Sequence, residues 1–129
     1  YLRLETNHGV VGWGDIKGVD TRVSQVMAQS LYELLDGENP TRIEYLWQKV
    51  YRAHRDIRGG AFLVHTLAAI DIALWDIEGK RLGLPVWRLT GAAEARPQRV
   101  YYSHWSQKLQ PRTPAALERL AAETKAQGW

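Results

Sequence analysis

From Ala61 to Ile77 the chain is apolar at nearly every position, broken only by His65, Thr66, Asp71 and Asp76. Such a run predicts a helix buried on all sides rather than an amphipathic surface helix. It is too interrupted to span a membrane. Gly83 offers a left-handed C-terminal cap, and Pro85 stops the helix and opens a shorter one through Leu89. Upstream the pattern turns amphipathic. A helix capped by Asp20 or Thr21 carries Val23, Val26, Met27, Leu31, Leu34 and Leu35 on one stripe and ends at Asp36 and Gly37. Asn39 and Pro40 then provide an N-cap and a first-turn proline for a helix with the stripe Ile43, Leu46, Trp47, Val50 and Tyr51.

At the start of the chain the period drops to two. Tyr1 to Thr6 alternates, Asn7, His8 and Gly9 make a turn, and Val10 to Asp15 resumes with β-branched and aromatic residues, which reads as a β-hairpin. Two strands are marginal in water, so a further strand before Tyr1 or a helical cover is expected. Asp15 to Asp20 has no periodicity and reads as a loop, and His8 reads as a solvated turn residue. Beyond Leu89, the segment Thr90 to Arg99 reads as a linker, Arg99 to Ser103 as a short strand, and Pro111 to Gln127 as a loop and a helix capped at Thr113 and Pro114 and closed by Gly128. One strand and one helix begin a β/α alternation that cannot bury both its faces alone, so more chain is expected after Trp129.

Composition narrows this picture without redirecting it. With 129 residues, 45% of them apolar, and six Trp and six Tyr, the chain can bury a core. Seventeen basic residues against fourteen acidic give a net charge of only +3, a small excess rather than the dense basic stripe of a nucleic-acid binder. No cysteine is present, which removes disulfides, thiolate metal sites and thiol nucleophiles and fits a reducing compartment. No signal peptide or long apolar run is visible in a chain that begins at Tyr1.

Candidate chemistry is sparse. Asp71 and Asp76 lie five residues apart, roughly 140° around a helix, and cannot share an ion. Asp71 and Glu78 share a face but are separated by about 10 Å of rise, too far for common coordination. Both aspartates are therefore expected in ion pairs or hydrogen bonds to neighbouring loops. Arg52, His54, Arg55 and Arg58, with Asp56 among them, lead into the apolar helix through Gly59 and Gly60. Such a cluster suits a carboxylate or phosphate, or else a solvated turn with one internal ion pair.

Several of these stretches carry a resemblance. Gly9-Val10-Val11-Gly12-Trp13-Gly14-Asp15, Asp36 to Pro40, Leu46 and Trp47 with Tyr51 and Arg52, and above all Ile70 to Lys80 with Gly83 to Val86 resemble the enolase superfamily. Within it they are most similar to the mandelate racemase and muconate lactonizing group and its galactonate-dehydratase-like acid-sugar dehydratases. The resemblance covers Tyr1 to about Tyr102, with Thr90-Gly91-Ala92 where the family shows Leu-Gly-Gly.

What it implies is an α+β capping domain, a β-hairpin of an antiparallel sheet plus a helical bundle, over residues 1–90. A linker at 91–98 and the first strand and helix of a TIM-like β/α barrel at 99–129 would follow. In such enzymes a Lys or His removes the proton next to a carboxylate, and Mg²⁺ held by barrel-strand acids stabilises the enediolate. Neither the bases nor the metal ligands match residues of this chain, so no catalytic or metal-binding residue is expected in it.

The implied substrate contacts are Lys17, in the specificity loop after the Gly-Val-Val-Gly-Trp-Gly strand, then Arg55 and Arg58. Ser103 and its neighbour His104 join them, at a Tyr-x-Ser-His strand ending that mandelate-racemase-like sequences also show. The implied whole is a cytoplasmic homo-oligomer acting on a small acid-sugar substrate, with no nucleic-acid or membrane partner. Racemisation or cycloisomerisation in the same superfamily is the alternative chemistry. A non-catalytic interaction module, or a nucleic-acid binder using Arg52, Arg55 and Arg58, is the alternative class.

Overall fold

The structure is a computed structural model that describes residues 1–18 and 20–129. Val19, inside the expected loop, lies outside the described residues. The chain forms two compact units, Tyr1–Glu94 and Ala95–Trp129.

The first unit begins with the expected hairpin. Strands β1 (Leu2–Glu5) and β2 (Val11–Gly14) pair antiparallel, with Leu2 opposite Gly14 and Leu4 opposite Gly12. The turn closes through Thr6, whose carbonyl accepts from Gly9 N and whose Oγ1 accepts from Val10 N. Period two puts Leu2, Leu4, Gly12 and Gly14 on one face of the ribbon. Leu2 and Leu4 pack against the core.

That core lies between α1 (Thr21–Tyr32), α2 (Ile43–Ala53) and α3 (Ala61–Leu82). It comprises Leu31, Leu35, Ile43, Leu46, Val50, Leu63, Leu67, Ile70 and Leu74. On α2 the expected stripe is the buried one, with Trp47 and Tyr51 stacked at its margin, their ring centroids 4.8 Å apart.

On α1 the phase differs from expectation. Ser24, Met27 and Leu31 face inward, whereas Val23 and Val26 are exposed, Val26 at 71%. Ser24 is tolerated there because its Oγ donates back to the carbonyl of Asp20, the N-cap. The start of α2 also shifts. Asn39 Oδ1 accepts from Thr41 N and Oγ1, closing a turn that holds Pro40, and the helix begins only at Ile43.

α3 has the expected start and ends on Gly83 in the left-handed conformation, φ 65°. A short helix, α4 (Val86–Leu89), follows. α3 is not buried all round, contrary to expectation. Phe62, Val64 and Ile72 are 43%, 39% and 49% exposed, because β1, β2, α1, α2 and α4 cover only part of its circumference among the described residues.

The alternate glycines of β2 decide how close that strand comes. A Cβ on Gly12 would sit 2.1 Å from the carbonyl oxygen of Ala73, and one on Gly14 would sit 1.9 Å from that of Ala69. The strand therefore rests directly on helix backbone. Its outer edge is closed by two side chains of α3: Asp76 Oδ2 accepts from Trp13 N at 2.9 Å, and Lys80 Nζ donates to the Val11 carbonyl at 2.7 Å. Edge groups that would otherwise pair with another strand are satisfied in this way.

In the second unit α5 (Pro114–Ala126) starts as expected, with Thr113 Oγ1 accepting from Ala116 N and Pro114 in the first turn. The barrel strand expected at 99–103 is not formed. Residues 99–102 have no regular structure, and Ser103 begins a turn. A parallel strand needs neighbours for its backbone groups, and the only strands among the described residues, β1 and β2, pair with each other. The start of a barrel is thus not shown by this structure. No helix among the described residues is long and apolar enough to cross a membrane.

Candidate functional site

β2 and the residues after it descend α3 toward its N-terminal end, one helical turn at a time. Val11 meets Lys80, Gly12 meets Ala73 and Ile77, Trp13 meets Asp76, and Gly14 meets Ala69. The next contact falls beyond the strand, where His65 Nδ1 hydrogen-bonds the carbonyl oxygen of Lys17. Positions 65, 69, 73 and 77 are four apart and form one row on the helix. The loop that carries Lys17 is thereby held against α3, while Lys17 itself is exposed and its ammonium forms no hydrogen bond or ion pair among the described residues.

Arg55 and Arg58 sit just before α3, in and after a single turn of 3₁₀ helix (Arg55–Ile57). Arg58 Nε donates to the Arg55 carbonyl, and its guanidinium lies 5.5 Å from the centre of the Tyr51 ring, a cation–π contact. Arg55 and Asp56 form no ion pair among the described residues, so the internal pair of the alternative reading of this turn is not made. Lys17 and the two arginines thus both border the N-terminal end of α3. Ser103 and His104 belong to the second unit, where Ser103 Oγ and His104 Nδ1 are 2.9 Å apart and His104 takes the left-handed conformation, φ 58°.

The two helical aspartates part company. Burial alone would raise the Asp76 carboxyl, but hydrogen bonds from Lys80 and from Trp13 N, with the ammonium's charge, hold it below the ordinary carboxylate range. Lys80 Nζ lies 2.6 Å from Asp76 Oδ2 and bridges carboxylate and strand. Asp71 makes no hydrogen bond or ion pair among the described residues, contrary to the pairing expected for it, and burial pushes its pKa up. Glu78 is held low by its hydrogen bonds from Arg81, at 2.7 Å.

No group of three or more His, Asp or Glu side chains able to hold a metal occurs among the described residues. Asp76 and Glu78 are committed to Lys80 and Arg81, and Asp71 stands apart. These residues therefore do not fit the Mg²⁺ that the superfamily implies. Two clefts of about 410 and 520 Å³ lie beside the hairpin turn, lined by Thr6, Asn7, Glu38 and Pro40, away from Lys17, Arg55 and Arg58.

Sequence reasoning passed over three features: the rest of β2 on helix backbone, the edge closed by Asp76 and Lys80, and the role of His65. The first had a readable signal in glycines at alternate strand positions, and the second in an acid and a base at i and i+4. His65 had none, since its partner is a main-chain carbonyl 48 residues away.

Residues 1–91 match the family described as mandelate racemase / muconate lactonizing enzyme, N-terminal domain. Over 103 residues the chain is 43% identical to a D-galactonate dehydratase of Verminephrobacter eiseniae, a match that takes in 78% of this chain and 26% of that relative. A crystal structure of a candidate dehydratase from Mesorhizobium loti superposes with a TM-score of 0.84 at 32% identity, covering 98% of this chain and 35% of that one. A member of the enolase superfamily from Salmonella Typhimurium gives a TM-score of 0.63 at 32% identity, over 69% of this chain and 24% of the other. The chain spans about a quarter of the length of the curated relatives it matches. With the hairpin, the α3 spine and the loop that follows β2 in place, the chain belongs to the mandelate racemase and muconate lactonizing group of the enolase superfamily, in which it carries an N-terminal capping domain similar to that of the galactonate dehydratases.

Proposed function

We propose that the protein acts on acid sugars as a dehydratase, and that this chain supplies residues that read the substrate rather than those that move its proton. In the reaction, a base takes the proton next to the carboxylate. The C–O bond of the neighbouring hydroxyl then breaks with loss of water, and the resulting enol becomes a 2-keto acid. The names of the curated relatives support this chemistry. The base, and the ligands of any Mg²⁺, would come from residues outside this chain.

The observation that carries the reading is Lys17: an exposed ammonium, without a partner among the described residues, in a loop that follows β2 and is bonded to α3. An ammonium on a four-carbon stem pairs with a carboxylate or donates to several hydroxyls, which are the two groups an aldonate presents. Arg55 and Arg58 would add a second cationic surface at the same end of α3. Ser103 would donate to a substrate oxygen, with His104 as its neighbour. Lys17→Met in the complete enzyme tests the assignment. A charge-assisted hydrogen bond is worth about 1.5–3 kcal/mol, so KM should rise by roughly ten- to a hundredfold with the folded state unchanged by circular dichroism. Unaltered kinetics across a panel of aldonates and aldarates would remove Lys17 from the site.

A further inference from the structure

The row of contacts between β2, its following loop and α3 ends at His65, whose partner is the Lys17 carbonyl. Gly18 lies against the imidazole, where a Cβ would stand 3.4 Å from Cε1, and has φ 79°. The backbone thus bends at the ring while the Lys17 carbonyl is bonded to Nδ1. A carbonyl oxygen can only accept, so Nδ1 carries the proton. Both the neutral tautomer with Nδ1–H and the imidazolium donate there, and the bond survives either charge state of the ring. His65 is half-buried in the second turn of α3, which fixes the ring more firmly than the loop it holds.

We propose that His65 is the positioning residue of the specificity loop: by donating Nδ1–H to the Lys17 carbonyl it fixes where the Lys17 ammonium is presented to the carboxylate or hydroxyls of the substrate. This rests on the reading of Lys17 as a substrate contact. The strand before the loop is held by the glycine contacts and by Asp76 and Lys80, none of which extends past Gly14. His65 is the one side chain of α3 found bonded to described loop residues after that point. Losing it would free the Lys17 main chain without loosening β2.

The bond also covers a scissile carbonyl. Trypsin cleaves after lysine, and the Lys17–Gly18 peptide is the one whose carbonyl His65 holds. The test uses the complete enzyme with His65→Leu, His65→Gln and His65→Asn. The Asn amide nitrogen reaches the place of Nδ1, whereas the Gln amide lies one bond further out. Cleavage after Lys17, followed by mass spectrometry, should accelerate by about tenfold or more in the Leu and Gln variants and stay near the parent rate in the Asn variant. KM for the acid sugar should follow the same order, with kcat changing less. His65→Gln keeps the test open if His65→Leu fails to fold. Unchanged cleavage in both the Leu and Gln variants would overturn the tether. Faster cleavage with an unchanged KM, in an enzyme whose KM does respond to Lys17→Met, would overturn the positioning role. A KM indifferent to Lys17→Met would instead overturn the reading of Lys17, with the proteolysis still deciding the tether.

Discussion

Gly14→Ala places a methyl group where the structure has helix backbone. The added Cβ would lie 1.9 Å from the Ala69 carbonyl oxygen, 2.7 Å from its carbon and 3.0 Å from its Cα. The nearest of these is roughly 1.5 Å inside van der Waals contact. No rotamer relieves the clash, because the obstacle is a main-chain turn of α3 whose carbonyl is committed to the helix. Strand and helix must separate instead, which strains the contacts of Leu2 and Leu4 with the core on the same face of the ribbon.

Overpacking typically costs 1–3 kcal/mol, and a rigid backbone obstacle argues for about 3. For a chain of this size that corresponds to a fall in Tm of about 10 °C. Gly9→Ala is the control. Gly9 has φ 77° and open space where its Cβ would go, so alanine there incurs only the left-handed conformation, about 1–2 kcal/mol. Urea denaturation followed by tryptophan fluorescence and far-ultraviolet circular dichroism should rank Gly14→Ala clearly below Gly9→Ala. If Gly14→Ala were no more destabilising than Gly9→Ala, the close approach of β2 to α3 would be wrong.

The two aspartates of α3 should respond oppositely. Asp76 has a folded pKa below its unfolded value of about 3.9, so its stabilisation is fully present above that value and is lost as pH falls through the folded pKa. Asp71 has a raised folded pKa, so its burial costs stability at neutral pH, and that cost disappears on acidification. At pH 7 Asp76→Asn should lower the urea midpoint by the equivalent of about 1 kcal/mol, discounted because Lys80 is 46% exposed, while Asp71→Asn leaves it unchanged or raises it. Shifts of the same sign for both would contradict the assignment. If Ser103 contacts substrate in the complete enzyme as proposed, Ser103→Ala should lower kcat/KM by about tenfold, the worth of one hydrogen bond near 1.4 kcal/mol, and leave the affinity for any bound Mg²⁺ alone. Abolished activity in His104→Ala, with folding and metal binding intact, would show that His104 rather than Ser103 carries the role.

Periodicity alone reached the hairpin, all three long helices of the first unit and the cap at Gly83, because each depends on local pattern or on a single residue with a special backbone. It failed where a tertiary contact chose between local options. On α1, apolar Val23 and Val26 lost the inner face to Ser24, whose hydroxyl is satisfied by its own helix and whose small volume fits. At Asn39 and Pro40 the cap signal was real, but it closed a turn two residues before the helix. The expected strand at 99–103 failed because β-branched and aromatic residues do not make a strand without a neighbour to pair with. The candidate site followed the same rule. The loop carrying Lys17 was legible from a motif, whereas the histidine bonded to that loop uses a main-chain acceptor far away in sequence.

The row of α3 that carries these contacts holds the strand at one end and the loop after it at the other, along one helix face. Ala69, Ala73 and Ile77 are almost fully buried and meet β2 through backbone and small atoms, so side-chain changes there register as stability. Asp76 and Lys80 meet only main-chain groups of the strand, so they constrain its position and leave its side chains free. His65, at the other end of the row, also meets a main-chain carbonyl. Each of these ties, among the described residues, is thus independent of which side chain stands at position 17. If Lys17 is the substrate contact proposed above, a scaffold built this way can exchange it for a neutral donor without repacking the helix beneath it. On that reading the residues after Gly14 are where substrate preference would change at the least structural cost, whereas Gly12 and Gly14 are where change is least tolerated.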